Sequence, residues 1–391
     1  MAPPRPPLPE EFVEEILVRF PPDDPASLVR AALVCKLWRR LILSPAFCRT
    51  YSELHRAAAP VLGVLCQAEL DPDDCRSMAM AQFVPATSFY RPAVAVHYGC
   101  RVIDARHGRV LLQRVPPWPP SNFTSSIDLF VWDPVRNERR HLPGLPWHID
   151  PYPCDWRAAV MCAAGGRRCR RDHHLDCAPS SFLVVLVMLD EDKMFSRTYA
   201  SEAGAWTETQ VASTKYHSRL KGYYVLGSGV LVADALHFMV HQPLNEHILS
   251  IGVLRYDLLA APAAPQLSAI RLPLSRAAHG DEHLLVPMED GRLGLASMDK
   301  AKLCLYWPTD KDAEQPPAAD SDRFVLGRVI YLEKLLSVES YLTDFNFADA
   351  IGVLFIRTSD GGLSAVDIKS GHVRRLPGCY MDCDHVVPIL A

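Results

Sequence analysis

One segment decides the fold of this 391-residue chain: LFVWDPVRNERRHLP at residues 129–143. It recurs as LSAVDIKSGHVRRLP at residues 363–377. In both copies an apolar run ends in Asp, and a second short run ends in Pro. Asp favours turns because its side chain accepts hydrogen bonds from the backbone, and Pro ends a strand because it lacks an N–H. Each segment therefore predicts a strand, an Asp-led turn and a return strand.

Further copies of this pattern lie between the two. A longer copy runs from Leu254-Arg255-Tyr256-Asp257 to Ile270-Arg271-Leu272-Pro273, and weaker ones are Tyr199-Ala200-Ser201 with Trp206, and Leu305-Tyr306-Trp307-Pro308. The copies follow one another at intervals of roughly 50 to 70 residues, with room for about four strands each, which is typical of a β-propeller.

The whole of residues 60–391 reads as β-rich. Short runs of β-branched and aromatic residues are bounded by Gly, Pro, Asp or Ser, and no long helical segments separate them, which argues against a parallel βαβ sheet. The predicted strands are Arg101–Ala105, Arg109–Gln113, Asp128–Trp132, Phe182–Met188, Met194–Tyr199, Gly229–Val232, Ala235–Val240, Ser250–Tyr256, Arg292–Ala296, Lys302–Trp307, Phe324–Val329, Ile351–Arg357 and Leu363–Val366.

The number of blades follows from the strands. Five four-stranded groups fit between residues 100 and 378, and the runs Val61–Cys66, Ala93–His97 and His385–Ile389 remain at the two ends of the body. If these ends pair, they complete a sixth blade and remove the last exposed sheet edge. We therefore predict six blades, with five or seven as alternatives. A β-sandwich or two small barrels would also satisfy the pattern of short strands.

Residues 8–56 follow a different, helical pattern. Apolar residues recur every three or four positions, first from Leu8 to Phe20 and then from Leu28 to Ile42. Pro21-Pro22 ends the first helix, Asp24-Pro25 begins a second, and Ser44-Pro45 begins a third, whose Phe47, Tyr51 and Leu54 are expected to point inward. The seven residues before this unit, rich in Pro, are predicted to be a disordered tail.

This head closely resembles an F-box. The matching pieces, in order, are Leu8-Pro9-Glu10-Glu11, Glu15-Ile16-Leu17, Phe20-Pro21, Leu33-Val34-Cys35-Lys36-Leu37-Trp38-Arg39-Arg40-Leu41-Ile42 and Pro45-Ala46-Phe47. The family pattern has Leu where Phe20 stands and Ser where Cys35 stands, and Asp23-Asp24-Pro25 is a variant helix junction. None of these departures removes an apolar contact residue.

The resemblance implies a partner, the Skp-type adaptor that links F-box proteins to a cullin-based ubiquitin ligase. The residues that it places at the adaptor are Leu8, Pro9, Ile16, Leu17, Leu28, Val34, Cys35 and Trp38. So small a bundle cannot bury all of this apolar surface by itself, and interface cores are rich in such residues.

The body resembles the propeller-like F-box-associated domain of many plant F-box proteins. The resemblance rests on Arg106-His107-Gly108-Arg109-Val110-Leu111-Leu112, Val131-Trp132-Asp133-Pro134, Leu142-Pro143, the segment from Tyr199 to Trp206, and Glu289-Asp290-Gly291-Arg292-Leu293-Gly294-Leu295. The expectation for the chain is thus an α+β multidomain protein with a three-helix F-box domain at 8–56 and an all-β propeller at 60–391.

Composition and hydropathy argue against three classes of protein: nucleic-acid-binding, membrane-spanning and secreted. With 41 Lys+Arg against 45 Asp+Glu, the net charge is −4, so no overall charge favours nucleic acid. The longest apolar run, Phe182–Leu189, is too short to span a membrane, and the N-terminal residues have no signal-peptide pattern. We therefore expect a protein of the cytoplasm or nucleus with mainly reduced cysteines, bound neither to nucleic acid nor to a membrane.

No sequence pattern points to catalysis. The nucleophile elbow Gly-x-Ser-x-Gly, the phosphate-binding loops and His-Glu-x-x-His are all absent from the sequence. The acidic pairs, such as Asp73-Asp74 and the run Asp190-Glu191-Asp192, are interpreted as solvated turns. We predict no catalytic residue and no cofactor.

One group of potential zinc ligands needs weighing. Its members are Cys154, Cys162, Cys169, His173, His174 and Cys177, most of them in an Arg-rich insertion at 165–179. A structural zinc needs four ligands in a closed shell, usually with a Cys-x2-Cys pair, and the spacing here is irregular. Cys379, Cys383 and His385 are equally irregular. We predict a basic loop between strands and no bound metal.

Three functions remain open at this point. In the first, the head binds the adaptor and the propeller holds a target protein for a cullin-type ubiquitin ligase. In the second, the chain is an F-box scaffold that acts outside a ligase. The third, a propeller enzyme, would require a set of convergent acids, metal ligands or a cofactor motif.

Overall fold

The structure is a computed structural model of the chain. It describes residues 9–22, 24–55, 61–70, 78–85, 94–115, 127–145, 156–163, 181–190, 193–207, 210–213, 224–245, 248–259, 267–271, 277–278, 282–288, 290–299, 302–308, 324–332, 342–348, 353–358, 362–368, 370, 372–376 and 385–390. The predicted N-terminal tail at residues 1–7 and the contact residue Leu8 lie outside these ranges.

The head contains four helices: α1 (Glu10–Val18), α2 (Pro25–Val34), α3 (Lys36–Ile42) and α4 (Pro45–Leu54). The sequence predicts three, because the apolar period runs without Gly or Pro from Leu28 to Ile42. The structure divides that stretch at Cys35, whose backbone is extended (φ −159°, ψ 165°). Cys35 thus ends α2 and also forms the N-cap of α3.

The four helices pack around a small apolar cluster. Its buried members are Val13, Leu17, Val18, Ala31 and Phe47, and partly buried side chains pack around them, namely Phe20, Leu28, Trp38, Leu41, Ile42 and Tyr51. Phe47 and Tyr51 point inward as predicted. The same expectation for Leu54 is wrong, because its side chain is exposed in the last turn of α4, where the cluster has already ended.

The body is composed of 26 strands. They are β1 (Val61–Leu70), β2 (Met78–Pro85), β3 (Val96–Tyr98), β4 (Cys100–Arg106), β5 (Arg109–Arg114), β6 (Asp128–Asp133), β7 (Glu138–His141), β8 (Trp156–Cys162), β9 (Phe182–Asp190), β10 (Lys193–Ala200), β11 (Ala205–Trp206), β12 (Gln210–Ser213), β13 (Tyr224–Val232), β14 (Ala235–Asn245), β15 (Ile248–Asp257), β16 (Leu267–Arg271), β17 (Ala277–Ala278), β18 (Glu282–Pro287), β19 (Leu293–Asp299), β20 (Lys302–Pro308), β21 (Phe324–Tyr331), β22 (Leu342–Ala348), β23 (Val353–Thr358), β24 (Leu363–Asp367), β25 (Val373–Leu376) and β26 (His385–Leu390). All of the predicted strands overlap one of these.

The strands form six antiparallel sheets, one per propeller blade. Blade 1 has the order β26-β1-β2-β3, and blade 2 is β4-β5-β6-β7. Blade 3 is β8-β9-β10-β11 with β12 paired to β10, and blade 4 is β13-β14-β15-β16 with β17 paired to β15. Blades 5 and 6 are β18 to β21 and β22 to β25 in chain order. The prediction of six blades is confirmed.

The blades form a closed ring. Their first strands are β26, β4, β8, β13, β18 and β22, and each contacts the first strands of the two neighbouring blades. Closure depends on blade 1, whose first strand comes from the far end of the body. There β26 pairs with β1 from His385 opposite Gln67 to Leu390 opposite Val61. This is the pairing that the sequence predicted between the two ends.

Apolar side chains fill the spaces between neighbouring blades. Between blades 1 and 2, for example, Leu65 and Phe83 from one sheet pack with Val110 and Trp132 from the other. Similar clusters lie between blades 2 and 3, 3 and 4, 4 and 5, and 5 and 6. Blades 2 to 5 therefore contribute both faces of their sheets to a core, which explains the nearly continuous apolar runs of their inner strands.

Buried polar side chains also join neighbouring blades. The amide oxygen of Gln67 in blade 1 accepts a hydrogen bond from the backbone N–H of Val102 in blade 2, at 2.9 Å. In the same way Asp104 of blade 2 accepts from the backbone N–H of Val160 in blade 3, at 2.9 Å. The first contact fixes β1 relative to β4, and the second fixes β4 relative to β8.

The repeated Asp-led turn forms as predicted. Asp133 accepts hydrogen bonds from the backbone N–H groups of Val135 and Arg136, at 2.9 and 3.0 Å, between β6 and β7. Asp367 accepts from Ser370 at 2.6 Å between β24 and β25. The repeat in the sequence is thus the outer hairpin of a blade, and its Asp stabilises the turn.

Candidate functional site

The helical head exposes much apolar surface. Of the thirteen large apolar side chains that are exposed among the described residues, seven lie within residues 9–55: Phe12, Ile16, Val29, Leu33, Val34, Leu43 and Leu54. Phe12 and Ile16 are one helical turn apart on α1, and Val29 and Leu33 are one turn apart on α2. Monomeric proteins rarely leave so many apolar side chains on so small a unit, so this surface is a candidate binding site.

The predicted contact residues divide into three groups in the structure. Pro9, Ile16, Val34 and Cys35 are exposed, Val34 by 64% of its surface and Ile16 by 52%. Leu28 and Trp38 are half-buried against the helical cluster, so each keeps part of its surface for a partner.

Leu17 is the exception among them. Its side chain is fully buried, at 0% exposure, between the helices. In this conformation it holds α1 in the cluster, and its contact with the adaptor stays a prediction. Periodicity identified the apolar face of α1 but did not separate its inner from its outer edge.

The most exposed apolar residue of the head was not selected from the sequence as a contact. Leu33 on α2 is 80% exposed, and Phe12 and Val29 are exposed as well. The sequence feature that could have identified such exposed residues is the width of the apolar stripe on a helix. A helix that packs on one side buries roughly a 100° stripe, and α1 has adjacent apolar pairs that exceed it.

Polar contacts hold the helices in place around this surface. The Ser44 hydroxyl accepts a hydrogen bond from the backbone N–H of Phe47 at 3.1 Å and so caps α4, as predicted. His55 donates from Nε2 to the carbonyl of Val18 at 2.7 Å, which ties the end of α4 to the end of α1. The apolar side chains are therefore presented on a fixed framework.

A second site is a pocket of about 330 Å³ between blades 1 and 2. It lies where blade 1 ends at β3 and blade 2 begins at β4. Its lining consists of Val96, His97, Tyr98, Gly99, Cys100, Arg114, Val115, Phe130 and Arg139. The two arginines come from β5 and from β7, the outermost strand of blade 2.

His97 is the buried polar group of this pocket. Its ring packs against the edge of Trp132, with 4.4 Å between ring centroids, and its Nδ1 lies 3.4 Å from a guanidinium nitrogen of Arg139. Since arginine only donates, Nδ1 is the acceptor and the proton of the neutral ring is on Nε2. Burial, together with the charge of Arg139, lowers the pKa of His97 to about 4.

A second buried histidine, His237, also has a lowered pKa, and the two histidines together make the stability of the fold depend on pH. Burial and the charge of Arg255 lower the pKa of His237 in β14 to about 4. In an unfolded chain both histidines have a pKa of about 6.5. As pH falls from about 6.5 to about 4, the two histidines become protonated in the unfolded chain but stay neutral in the folded chain. The free energy of unfolding is therefore expected to fall over that range.

Urea unfolding across that pH range measures this effect. A chain with His97→Gln and His237→Gln should lose less stability than the parent between the two pH limits, even if it is less stable throughout. An equal loss in both chains would show that other groups cause the dependence.

The potential zinc ligands fall mostly outside the described residues. Of the six Cys and His positions around the Arg-rich insertion, only Cys162 is described, as a buried free thiol at the end of β8. The acidic runs at 73–74 and 191–192 and the cysteines at 379 and 383 are also outside. In the part of the chain that the structure describes, no group of three or more Cys, His, Asp or Glu could hold a metal ion, and no helix has the length and apolarity of a membrane span.

Comparison with known proteins gives one match in sequence. Residues 7–50 match the F-box domain family. This match includes the exposed residues of α1 and α2 and ends before Leu54. No curated protein sequence matches the chain.

Solved structures with a similar arrangement of strands share little sequence with it. They include the β-propeller domain of the trilobed protease from Pyrococcus furiosus (TM-score 0.38, 9% identity, covering 80% of this chain and 86% of that one). Another is the Cps50 (Swd1) β-propeller domain from Myceliophteria thermophila (TM-score 0.37, 11% identity, covering 81% and 86%). A third is YCF48 bound to D1 peptide (TM-score 0.36, 9% identity, covering 83% and 86%). Likeness at this level transfers no binding property. Sequence and structure together show a chain with an F-box domain at residues 7–50 and a six-bladed β-propeller.

Proposed function

We propose that the chain is a substrate-recognition subunit of a cullin-type ubiquitin ligase. In this role the F-box domain docks the Skp-type adaptor, which connects it to the cullin, and the propeller binds a target protein that has yet to be identified. The observation that supports the proposal best is the exposed apolar surface of α1 and α2 within the segment that matches the F-box family. A chain with this role would work in the cytoplasm or the nucleus.

The mechanism is proximity. A target held on the propeller has a high effective concentration near the conjugating enzyme that the ligase brings to it. The bond-forming groups are then on other subunits. F-box domains are typical of non-catalytic adaptor subunits, and this chain is proposed to contribute binding surfaces alone, without a cofactor.

Ile16 and Leu33 provide the sharpest test of docking. Both are exposed, so replacing them leaves the helical cluster intact, and central apolar residues dominate the energy of such interfaces. The chain with Ile16→Ala and Leu33→Ala is expected to bind a Skp-type adaptor at least roughly tenfold more weakly than the parent. Calorimetry with the purified full chain measures the difference.

Leu54→Ala is the matched control, because Leu54 is an exposed leucine of the same head but lies outside the family match. Its adaptor affinity should equal that of the parent. Unchanged binding in the Ile16/Leu33 variant, or equal weakening by Leu54→Ala, would contradict the docking surface. Changes at Leu17 are unsuitable here, since a buried Leu→Ala change costs about 2–5 kcal/mol of stability and would confuse folding with docking.

The scaffold alternative differs in outcome. A ligase subunit transfers ubiquitin to a protein that co-purifies with the propeller once adaptor, cullin and conjugating enzyme are supplied. Co-purification under proteasome inhibition identifies the bound protein. If the chain binds the adaptor but no ubiquitin is transferred to the co-purified protein, the chain is a scaffold.

A further inference from the structure

The pocket between blades 1 and 2 has the properties of a ligand site. It is about 330 Å³ in volume and contains His97, which is only 3% exposed. The Nε2 atom of His97 has no hydrogen-bond partner in the described protein. That atom is covered by its surroundings, so a ligand has to bind through the other polar side chains of the pocket.

The other polar side chains of the pocket also donate. Arg139 approaches His97 on one side and the ring of Phe130 on the other, where the guanidinium carbon lies 5.9 Å from the ring centroid. Among the described residues no carboxylate lies within ion-pair distance of it. Arg114 has one such neighbour, Asp128 at 3.4 Å, in an exposed pair that is worth little.

We propose that this pocket binds an oxyanion, a carboxylate or a phosphate group, carried on a short organic stem. The guanidinium groups of Arg139 and Arg114 supply the donors, and an arginine matches the planar geometry of carboxylate and phosphate oxygens. The apolar side chains of Val96, Val115 and Phe130 form the remaining wall. A pocket of this size exceeds a bare ion and suits an acidic side chain or a small organic acid.

The position of the pocket explains how the site is built. His97 belongs to the last strand of blade 1 and Arg139 to the last strand of blade 2, so neither blade forms the site alone. Gly99 connects β3 to β4 at a positive φ of 64°, a conformation that favours glycine, and places the pocket wall between the two blades.

The proposal is tested with two probes, N-acetylglutamate and O-phosphoserine, titrated separately into the purified full chain by calorimetry. At least one is expected to bind saturably, and the tighter of the two tells whether the natural group is a carboxylate or a phosphate. Arg139→Gln should weaken that binding at least tenfold, whereas Arg136→Gln, an exposed arginine of the same hairpin that does not line the pocket, should leave it unchanged.

A nuclear magnetic resonance experiment locates the bound probe. The imidazole Nδ1 of His97 lies 3.4 Å from Arg139, so its signal, assigned by its loss in His97→Gln, should shift on titration with the probe and stay fixed in Arg139→Gln. Absence of binding by both probes would overturn the proposal. So would binding that survives Arg139→Gln, or binding that leaves the His97 signal unmoved.

Discussion

Removal of residues 384–391 is expected to unfold the whole propeller and not a single edge. The deletion removes β26, and with it the first strand of blade 1 and two buried side chains, Val387 and Ile389. Burying two such side chains stabilises a fold by about 3–6 kcal/mol, before the lost backbone pairs are counted. That approaches the whole free energy of unfolding of a typical domain, about 5–15 kcal/mol.

Thermal unfolding, followed by circular dichroism, measures the effect. The truncated chain should lack the cooperative transition of the parent, while a synthetic peptide of residues 384–391 should restore part of it by pairing with β1. Val387→Asp places a carboxylate in the same cluster and should also destabilise the ring strongly, whereas Val135→Asp, in an exposed turn, should not. A truncated chain that melts at the parent temperature would argue against closure by β26.

Asp104→Ala is expected to cost about 3–5 kcal/mol of stability, the usual cost of breaking a buried ion pair from one side. Asp104 lies 3.1 Å from the guanidinium of Arg106, and the two side chains are only 2% and 9% exposed. Its loss leaves Arg106 and the N–H of Val160 without this acceptor. Because Val160 belongs to the next blade, the contact between blades 2 and 3 weakens as well.

Urea unfolding of three variants separates these contributions. The chain with both Asp104→Ala and Arg106→Met also lacks the guanidinium that has lost this carboxylate, so it should be more stable than Asp104→Ala alone. Asp290→Ala is the control for the ion pair as such, since Asp290 and Arg292 form a close pair at 2.6 Å on the surface, where exposed pairs contribute at most about 1 kcal/mol. Equal losses for Asp104→Ala and Asp290→Ala would show that burial of the pair has no effect.

The propeller was predictable because its signals are local. An Asp at the end of a strand and a Pro at the end of the next mark the outer hairpins of blades 2, 4 and 6, and weaker copies lie in blades 3 and 5. The break between α2 and α3 had no such signal. Neither Gly nor Pro is present, and Cys35 leaves the helical conformation within an unbroken apolar period.

The two sites differ in how far the sequence reveals them. The F-box surface lies within one short segment, so Ile16 and Val34 were identified from the sequence, but Leu33 was not. The division between buried Leu17 and exposed Ile16 depends on how the helices pack. The pocket between blades 1 and 2 was not predicted. His97 and Arg139 belong to different blades, and the packing of blade 1 against blade 2 brings them within 3.4 Å of each other.

Closure by β26 also has a consequence for synthesis. The ribosome adds about 5–20 residues per second, so β1 emerges long before the strand that it must pair with. The helical head is by then complete, and its apolar cluster is made only of side chains from residues 13–51. The F-box domain is thus made before the propeller exists. The nascent chain carries an open sheet edge, which favours aggregation, until its last blade is finished.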